Sequence, residues 1–152
     1  MIIKLHKLFS TGLGIGYMGK GGGTVAAIAA CVVWHFACNG TSSFIAPVIV
    51  TVIVTVYGIW SSSQLEEYWG KDSSKIVIDE IAGMFITLLF VPATIKNIAI
   101  GLVLFRFFDI AKPLFIRKLE MLPKGWGVMG DDVLAGIYAN IILQIIVHAN
   151  LW

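Results

Sequence analysis

The chain reads Ile76-Val-Ile-Asp-Glu-Ile-Ala-Gly-Met-Phe85 near its centre, so two adjacent carboxylates interrupt one of its most apolar stretches. Three further acidic residues stand within or directly beside other apolar stretches: Asp109, Asp131 and Asp132. Placing one carboxylate in hydrocarbon costs at least ~2.5 kcal/mol, so five of them require a common reason. They predict a charged, metal-binding centre at a membrane.

The composition of the 152-residue chain indicates a single domain, residues 1–152, in a membrane. Hydrophobic residues make up 58% and charged residues 13% of the chain, and that charged fraction is about half of what an ordinary soluble domain carries. A soluble helical domain with a very apolar core is the alternative, but the apolar residues occur in long runs. No basic cluster is interleaved with surface aromatic residues, so the sequence does not favour nucleic-acid binding.

Five apolar segments predict an all-α, integral membrane helical bundle. They are Val25–Cys38, Phe44–Ser61, Ile76–Val91, Ile95–Ile110 and Val133–Trp152. Several of them are close to the lower limit of the ~20 residues that span a bilayer. Residues 1–11 alternate apolar and basic side chains and predict an N-terminal interfacial helix. Residues 12–24 contain seven glycines and predict a loop.

If successive apolar segments cross the membrane in alternating directions, the stretches between them fall on two sides of it. The basic residues are divided unequally between these two sides. The stretches 1–24, 62–75 and 111–132 share one side with nine lysines and arginines, and Arg106 lies at its boundary. The opposite side has Lys96 alone. This ten-to-one excess is typical of cytoplasmic loops and predicts a cytoplasmic N-terminus. The acidic residues and the glycine-rich loop fall on the same side, so they are expected to meet at one membrane face.

The paired acidic residues are candidate metal ligands. Carboxylates gathered at a low-dielectric boundary repel one another unless protons or a cation intervene, and Mg²⁺ prefers oxygen ligands that include substrate phosphates. The four candidates are Asp79, Glu80, Asp131 and Asp132. Adjacent residues on a helix point about 100° apart, so one of each pair could bind metal while the other orients water. For Asp131, N-capping of the last apolar segment is an alternative role.

Basic side chains near the acids could bind phosphate. Arg106 and Asp109 are spaced i,i+3 and can meet on one helix face. They could form an intrahelical ion pair that makes both tolerable in lipid, or Arg106 could bind phosphate while Asp109 orients it or joins the metal ligands. Lys112 either extends to the membrane surface or binds phosphate. Lys20 and Thr24, with backbone N–H groups of the glycine-rich loop, could also bind an anion, although the glycines alone favour close helix packing or a re-entrant turn.

Two glycines follow the paired acidic residues, and the motifs of covalent phosphatases are absent from the sequence. Gly83 and Gly136 follow Glu80 and Asp132 by three and four positions and predict close helix packing. The sequence contains neither Cys-x5-Arg nor Arg-His-Gly, and no Asp-x-Asp opens a strand. A metal-activated water is the remaining economical mechanism for phosphate release.

Three blocks carry a resemblance to a known family. They are Ile76-Val-Ile-Asp-Glu-Ile-Ala-Gly83, Phe105-Arg-Phe-Phe-Asp-Ile-Ala-Lys-Pro113 and Gly127-Val-Met-Gly-Asp-Asp-Val-Leu-Ala-Gly136. In order and spacing they resemble the signature blocks of the phosphatidylglycerophosphatase A family. The family's usual Pro-Gly-Thr-x-Gly-Ser is here Gly22-Gly-Thr-Val-Ala-Ala27, which keeps only Gly-Thr. The resemblance implies a Mg²⁺-dependent phosphatase that converts phosphatidylglycerophosphate to phosphatidylglycerol and inorganic phosphate.

The combined interpretation is a multi-pass lipid phosphatase of the bacterial cytoplasmic membrane, with Mg²⁺ as cofactor and the active site on the cytoplasmic face. Catalytic roles are predicted for Asp79, Glu80 and Asp132. Metal ligation is predicted for Asp79, Glu80, Asp109, Asp131 and Asp132. Phosphate binding is predicted for Lys20, Thr24, Arg106 and Lys112. The alternatives are a small membrane transporter with a one-sided acidic cation site and a non-catalytic scaffold, and the oligomeric state is left open.

Overall fold

The computed structural model describes residues 2–71 and 73–149, and every regular element within them is helical. The helices are α1 (Ile2–Ser10), α2 (Gly22–Cys38), α3 (Ile45–Trp69), α4 (Ile78–Leu88), α5 (Ile95–Ala111), α6 (Ile116–Leu119) and α7 (Gly125–His148), with a short 3-10 helix at Ile15–Met18. The predicted all-α class is therefore confirmed. Helix α1 corresponds to the predicted N-terminal helix, and α5 agrees with its predicted segment within one residue.

Helix α3 is longer than the predicted segment Phe44–Ser61, because the polar residues that follow remain helical as far as Trp69. Leu65 lies in this extension and is fully buried in the core, so tertiary packing stabilises the additional turns. The helix is capped by Gly70, whose φ of 79° is one that side-chain-bearing residues rarely adopt. The predicted boundary at Ser61 was wrong because polarity marks the end of the apolar surface, not the end of the helix.

Helix α4 is shorter than the predicted segment Ile76–Val91. It begins at Ile78, with the non-helical Val77 as its N-cap, and the N–H of Val77 donates to the carbonyl of Ser10. It ends at Leu88, before a turn in which Phe90 takes a left-handed conformation. A helix of this length extends for about 16 Å, which is roughly half of the ~30 Å hydrocarbon core of a bilayer.

Helix α7 begins eight residues before the predicted segment Val133–Trp152. Asp131 and Asp132 therefore lie about two turns inside the helix, whose N-cap is Lys124. The N-cap alternative for Asp131 was thus wrong. The predicted end of the segment, residues 150–152, lies outside the described residues.

Close packing on α3 explains the early start of α7. A Cβ placed on Gly125 would stand 2.0 Å from the carbonyl oxygen of Ile59, and the Gly125 N–H donates to Ser63 Oγ at 3.0 Å. Glycine lowers helix propensity by about 1 kcal/mol relative to alanine, which favours a loop when the sequence is considered alone. Packing against α3 overrides that preference.

Helices α4 and α7 touch at their backbones. A Cβ on Gly136 would stand 2.4 Å from the carbonyl oxygen of Gly83, and a Cβ on Gly83 would stand 2.7 Å from the carbonyl oxygen of Asp132. Thr87 Oγ1 donates to the Gly83 carbonyl at 2.9 Å and so has a partner within α4. The predicted close packing at both glycines is confirmed, and it brings the acidic residues of the two helices together.

The described residues include two helices that are long and apolar enough to cross a membrane, α3 and α7. Only 22% of the residues in the apolar window of α3, and 33% of those in α7, are buried within the protein. Large apolar side chains on α3, including Ile45, Val52 and Ile53, are more than half exposed. An exposed apolar surface of this kind is suited to contact with lipid or with another protein.

Candidate active site

A cavity of about 330 Å³ lies where the N-terminal ends of α2 and α4 and the first turns of α7 meet the C-terminal end of α5. All nine residues predicted for the site line this cavity: Lys20, Thr24, Asp79, Glu80, Arg106, Asp109, Lys112, Asp131 and Asp132. Residues separated by more than a hundred positions thus meet at one end of the bundle, as the charge pattern predicts. The chemical role of each residue stays a prediction.

Three carboxylates form the centre of the cavity. Asp79 and Glu80 lie in the first turn of α4, where the helix dipole favours negative charge, and Asp132 approaches them from α7. One carboxylate oxygen from each residue lies within 4.8 Å of those of the other two. The backbone N–H of Glu80 donates to Asp79 Oδ1 at 3.1 Å, and this contact fixes the Asp79 carboxylate.

The chemistry of these three groups fits a hard divalent cation. Carboxylates this close repel one another in a low-dielectric setting, and oxygen ligands are those that Mg²⁺ prefers. Glu80 Oε2 is buried and has no hydrogen-bond partner within the described residues. An unpaired buried carboxylate oxygen is costly unless a proton or a cation satisfies it. The geometry therefore suits Mg²⁺ binding by Asp79, Glu80 and Asp132.

Gly23 makes room for one of these carboxylates. A Cβ on Gly23 would stand 1.9 Å from Glu80 Oε1, because the first turn of α2 lies directly against that side chain. Any larger residue must displace the Glu80 carboxylate. Gly23, in the first turn of α2, thus has a packing role at the site itself, in addition to any contact of its backbone with an anion.

Replacing Gly23 with alanine is therefore expected to lower catalytic activity by about a hundredfold, because a misplacement of about 1 Å can cost that much. The change moves Glu80 and leaves its chemistry intact. Phosphate release measured beside Gly130→Ala checks this expectation. A Cβ on Gly130 has its nearest neighbour at 3.5 Å, so that control should retain wild-type activity. Equal activity of the two variants would contradict the packing role.

Lys112 connects three elements at the edge of the cavity. Its Nζ donates to Asp131 Oδ2 of α7 at 2.6 Å and to Glu120 Oε1 after α6. Lys112 itself caps α5 in a left-handed conformation with φ 43°, which is uncommon for a residue with a side chain. Burial lowers the pKa of Lys112, but the hydrogen bonds and charges of Asp131 and Glu120 outweigh it, so the net shift is upward. The lysine therefore stays charged throughout the neutral range.

Because the folded-state pKa of Lys112 lies above its usual 10.5, its ion pairs stabilise the protein fully below that pH and are lost as pH rises beyond it. Lys112→Met is expected to lower the thermal unfolding midpoint by an amount that is constant between about pH 7 and 9 and that shrinks only in more alkaline solution. Thermal scans of wild type and variant across this range check the expectation. A difference that disappears below pH 9 would contradict it.

Arg106 and Asp109 form the intrahelical ion pair that their spacing permits. Arg106 Nε is buried and has no hydrogen-bond partner within the described residues, so part of the guanidinium can still bind a ligand. The Asp109 carboxylate also lies beside that of Asp132. Asp109 thus links the cationic and acidic halves of the cavity, and the pair does not preclude the predicted phosphate role of Arg106.

Lys20 differs from the other two cations in the cavity. Among the described residues, Arg106 and Lys112 are paired with carboxylates, whereas Lys20 forms no ion pair. It is exposed and lies directly before Gly21, the N-cap of α2. The first N–H groups of a helix are available to an anion. This side of the cavity therefore offers helix N–H groups and a cation that is unpaired among the described residues, a combination suited to an anion.

Sequence reasoning missed three polar residues at the site. Ser73 and Ser74 line the cavity just before α4, and Glu120 shares Lys112 with Asp131. Only Lys75 separates the two serines from the apolar stretch that carries Asp79 and Glu80, and this proximity was an available signal. Glu120 stands among basic residues, so its sequence surroundings indicate a pairing without identifying the partner.

The fold and the cavity define a helical protein with an acidic centre and flanking cations at one end of its bundle. A sequence model described as phosphatidylglycerophosphatase A matches residues 8–147, and the chain belongs to that family. A Haemophilus influenzae protein named phosphatidylglycerophosphatase A is 35% identical over 90% of this chain and 85% of its own length. An Escherichia coli protein of the same name is 31% identical over 93% and 83%.

A third relative has a different name. A Bacteroides thetaiotaomicron protein named as a candidate phosphatidylinositol-3-phosphatase is 39% identical over 93% of this chain and 92% of its own length. No solved structure matches the chain. The relatives thus agree on a lipid phosphomonoesterase and differ in the headgroup that their names specify.

Proposed function

We propose that this protein is a lipid phosphatase that hydrolyses phosphatidylglycerophosphate to phosphatidylglycerol and inorganic phosphate. The observation that carries the proposal is the convergence of Asp79, Glu80 and Asp132 in one cavity with Lys20, Arg106 and Lys112. A phosphomonoester dianion needs cationic partners, and its hydrolysis needs a positioned water. Membership of the phosphatidylglycerophosphatase A family supports the choice of substrate.

Asp79, Glu80 and Asp132 are the residues that would hold Mg²⁺. The bound ion would supply a water of lowered pKa and electrostatic stabilisation of the phosphoryl oxygens. Glu80 has a second carboxylate oxygen without a partner, so it is the group best placed to accept a proton from water. Asp109 and Asp131 are each paired with a cation, and we assign them the orientation of Arg106 and Lys112.

The cations bind the substrate phosphate in this proposal. Lys20, Thr24 and the N-terminal N–H groups of α2 receive the monoester, and Arg106 approaches it from α5. Hydrolysis breaks the bond between phosphorus and the glycerol oxygen, and the oxygen of water takes its place on phosphorus. The leaving alkoxide gains a proton, so the overall reaction consumes one water per phosphate released.

We also propose that the protein is a multi-pass protein of the bacterial cytoplasmic membrane, with the N-terminus and the cavity on the cytoplasmic face and α1 in the membrane interface. Three basic side chains among the described residues line the cavity, and alternating crossings of the apolar segments would put ten of the eleven lysines and arginines on its side of the membrane. The exposed apolar surfaces of α3 and α7 support their crossing of the bilayer. On this orientation the acyl chains remain in the inner leaflet while the headgroup enters the cavity.

A phosphoinositide monoester is the second candidate substrate. The relative named as a candidate phosphatidylinositol-3-phosphatase covers nearly the whole chain. Both substrates carry a phosphomonoester on a headgroup that is itself joined to diacylglycerol through a phosphodiester. The same cavity chemistry would serve either one, so the headgroup has to be decided by measurement.

Phosphate release by the purified protein tests the proposal. Phosphatidylglycerophosphate and phosphatidylinositol 3-phosphate are offered separately in mixed micelles, with water-soluble glycerol 3-phosphate as the control. We expect fastest release from phosphatidylglycerophosphate and little from glycerol 3-phosphate. A preference for the phosphoinositide would select the second candidate. If neither lipid releases phosphate and the protein conducts cations into vesicles, the phosphatase proposal is refuted and the transporter alternative is supported.

A further inference from the structure

A buried polar cluster outside the cavity joins α1 to α3. His6 Nδ1 lies 3.0 Å from Ser61 Oγ and 3.3 Å from the hydroxyl of Tyr57. The Ser61 hydroxyl also lies 2.6 Å from Ser10 Oγ. His6 is 2% exposed, and Ser10 and Ser61 are fully buried. None of these side chains lines the cavity, so the proposed chemistry does not account for them.

Packing alone does not explain a histidine at this position. The His6 ring stacks on Tyr57 and meets Trp60 edge-on, contacts that a phenylalanine could also make. Its Nε2 is buried without a hydrogen-bond partner among the described residues. A buried polar atom without a partner is unfavourable. The favourable contribution that a histidine makes here, beyond that of a phenylalanine, therefore comes from the contacts of its Nδ1 atom.

The cluster is connected to the acidic centre through the backbone. Ser10, the last residue of α1, accepts a hydrogen bond from the N–H of Val77 at 2.8 Å. Val77 is the N-cap of α4, and Asp79 and Glu80 follow within the first turn of the helix. The side-chain bond between Ser10 and Ser61 therefore holds the carbonyl that fixes the start of α4.

The loop after α1 extends the same connection to the opposite wall of the cavity. A Cβ on Gly16 would stand 1.9 Å from the carbonyl oxygen of Lys75, so the loop lies directly on the segment before α4. A Cβ on Gly22 would stand 3.4 Å from the carbonyl oxygen of Ile15. The junction between α1 and α3 thus supports both the acidic wall and the glycine-rich wall.

We propose that His6 and Ser61 are positioning residues, which hold Ser10 so that its carbonyl fixes the N-terminal end of α4 and the carboxylates of Asp79 and Glu80. The effect on catalysis rests on the proposed phosphatase function. The coupling between the cluster and Val77 does not, and it can be measured separately.

Two pairs of variants separate positioning from general stability. Ser61→Ala removes the hydroxyl that joins His6 to Ser10, and Ser62→Ala removes a neighbouring buried hydroxyl that has no hydrogen-bond partner among the described residues. His6→Phe keeps an aromatic ring and loses Nδ1, whereas His6→Asn keeps a hydrogen-bonding atom close to the Nδ1 position. The readouts are amide hydrogen exchange at Val77 and the KM for phosphatidylglycerophosphate in mixed micelles.

We expect Ser61→Ala and His6→Phe to accelerate exchange at Val77 by about tenfold relative to amides of α5, as loss of a buried hydrogen bond implies. The same variants should raise KM by about fivefold, a change that a smaller folded fraction would not produce. Ser62→Ala and His6→Asn should stay within about twofold of wild type in both readouts.

Equal exchange at Val77 in Ser61→Ala and Ser62→Ala would overturn the proposal, as would an acceleration spread evenly over the protein. A wild-type protein that releases no phosphate from either lipid would refute the phosphatase function instead. In that case the exchange comparison alone decides whether the cluster positions α4.

Discussion

Replacing Asp132 with asparagine is expected to lower phosphate release from phosphatidylglycerophosphate by at least about a thousandfold, because the variant lacks one of three charges that would hold the cation. Asp132 is buried, and its carboxylate lies with those of Asp79 and Glu80. Removing one of three mutually repelling charges should leave the fold intact or stabilise it. Initial rates measured with saturating Mg²⁺ test this result, and Asp79→Asn should behave in the same way.

Glu67→Gln is the matched control for these two substitutions. Glu67 is exposed on α3 and does not line the cavity, so removing its charge should leave the rate unchanged. Thermal unfolding of all three variants checks that lost activity is not lost folding. Wild-type turnover by both Asp132→Asn and Asp79→Asn would refute the assignment of the acidic centre.

Gly136→Ala is expected to lower stability, because its Cβ would stand 2.4 Å from the carbonyl oxygen of Gly83. Neither backbone can give way locally, so α4 and α7 must separate. Overpacking of this kind costs about 1–3 kcal/mol. The same movement would separate Asp132 from Asp79 and Glu80, so activity should also fall by at least about tenfold.

Gly130→Ala is the control within the same helix. Its Cβ has only ordinary contacts, so any gain in helix propensity should leave stability unchanged or slightly increased. Thermal unfolding midpoints of the two variants in detergent make the comparison. Equal midpoints would show that the approach of α4 to α7 at Gly136 is looser than the structure describes.

The sequence was sufficient to predict that the charged residues meet at one site, because few positions in an apolar membrane chain tolerate a charged side chain. The acidic residues, the ten basic residues on one side and the alternation of apolar segments together predicted a single charged end. All nine candidate residues do line one cavity. This prediction needed only the order of the segments and was insensitive to their exact ends.

The ends of the helices could not be predicted in the same way. Apolar patterning reports which surface meets lipid or core, whereas a helix continues as long as its backbone hydrogen bonds are made. Helix α3 therefore continues beyond Ser61, and α7 begins at Gly125, where contact with Ile59 favours a helix despite the glycine. Helix α4 begins only at Ile78, and the N–H of its N-cap Val77 bonds to the carbonyl of Ser10, a contact between distant positions that an apolar pattern does not report.

The partner of each carboxylate also could not be predicted without the tertiary structure. Asp131 and Asp132 are adjacent in sequence, yet Asp131 pairs with Lys112 and Asp132 lies with Asp79 and Glu80. Their separate directions follow from the angle between neighbouring residues on a helix. Which residue meets which partner depends on how α7 is rotated against α4 and α5, and single-sequence patterns do not contain that rotation.

The central claim is that the carboxylates of this cavity hold a divalent cation for phosphomonoester hydrolysis. The most direct test is phosphate release from phosphatidylglycerophosphate by purified wild-type protein, after removal of metal with a chelator and during titration with Mg²⁺. We expect negligible release in the chelated protein and recovery that saturates as Mg²⁺ is added back. Full activity in the chelated protein, unaffected by Mg²⁺, would contradict it.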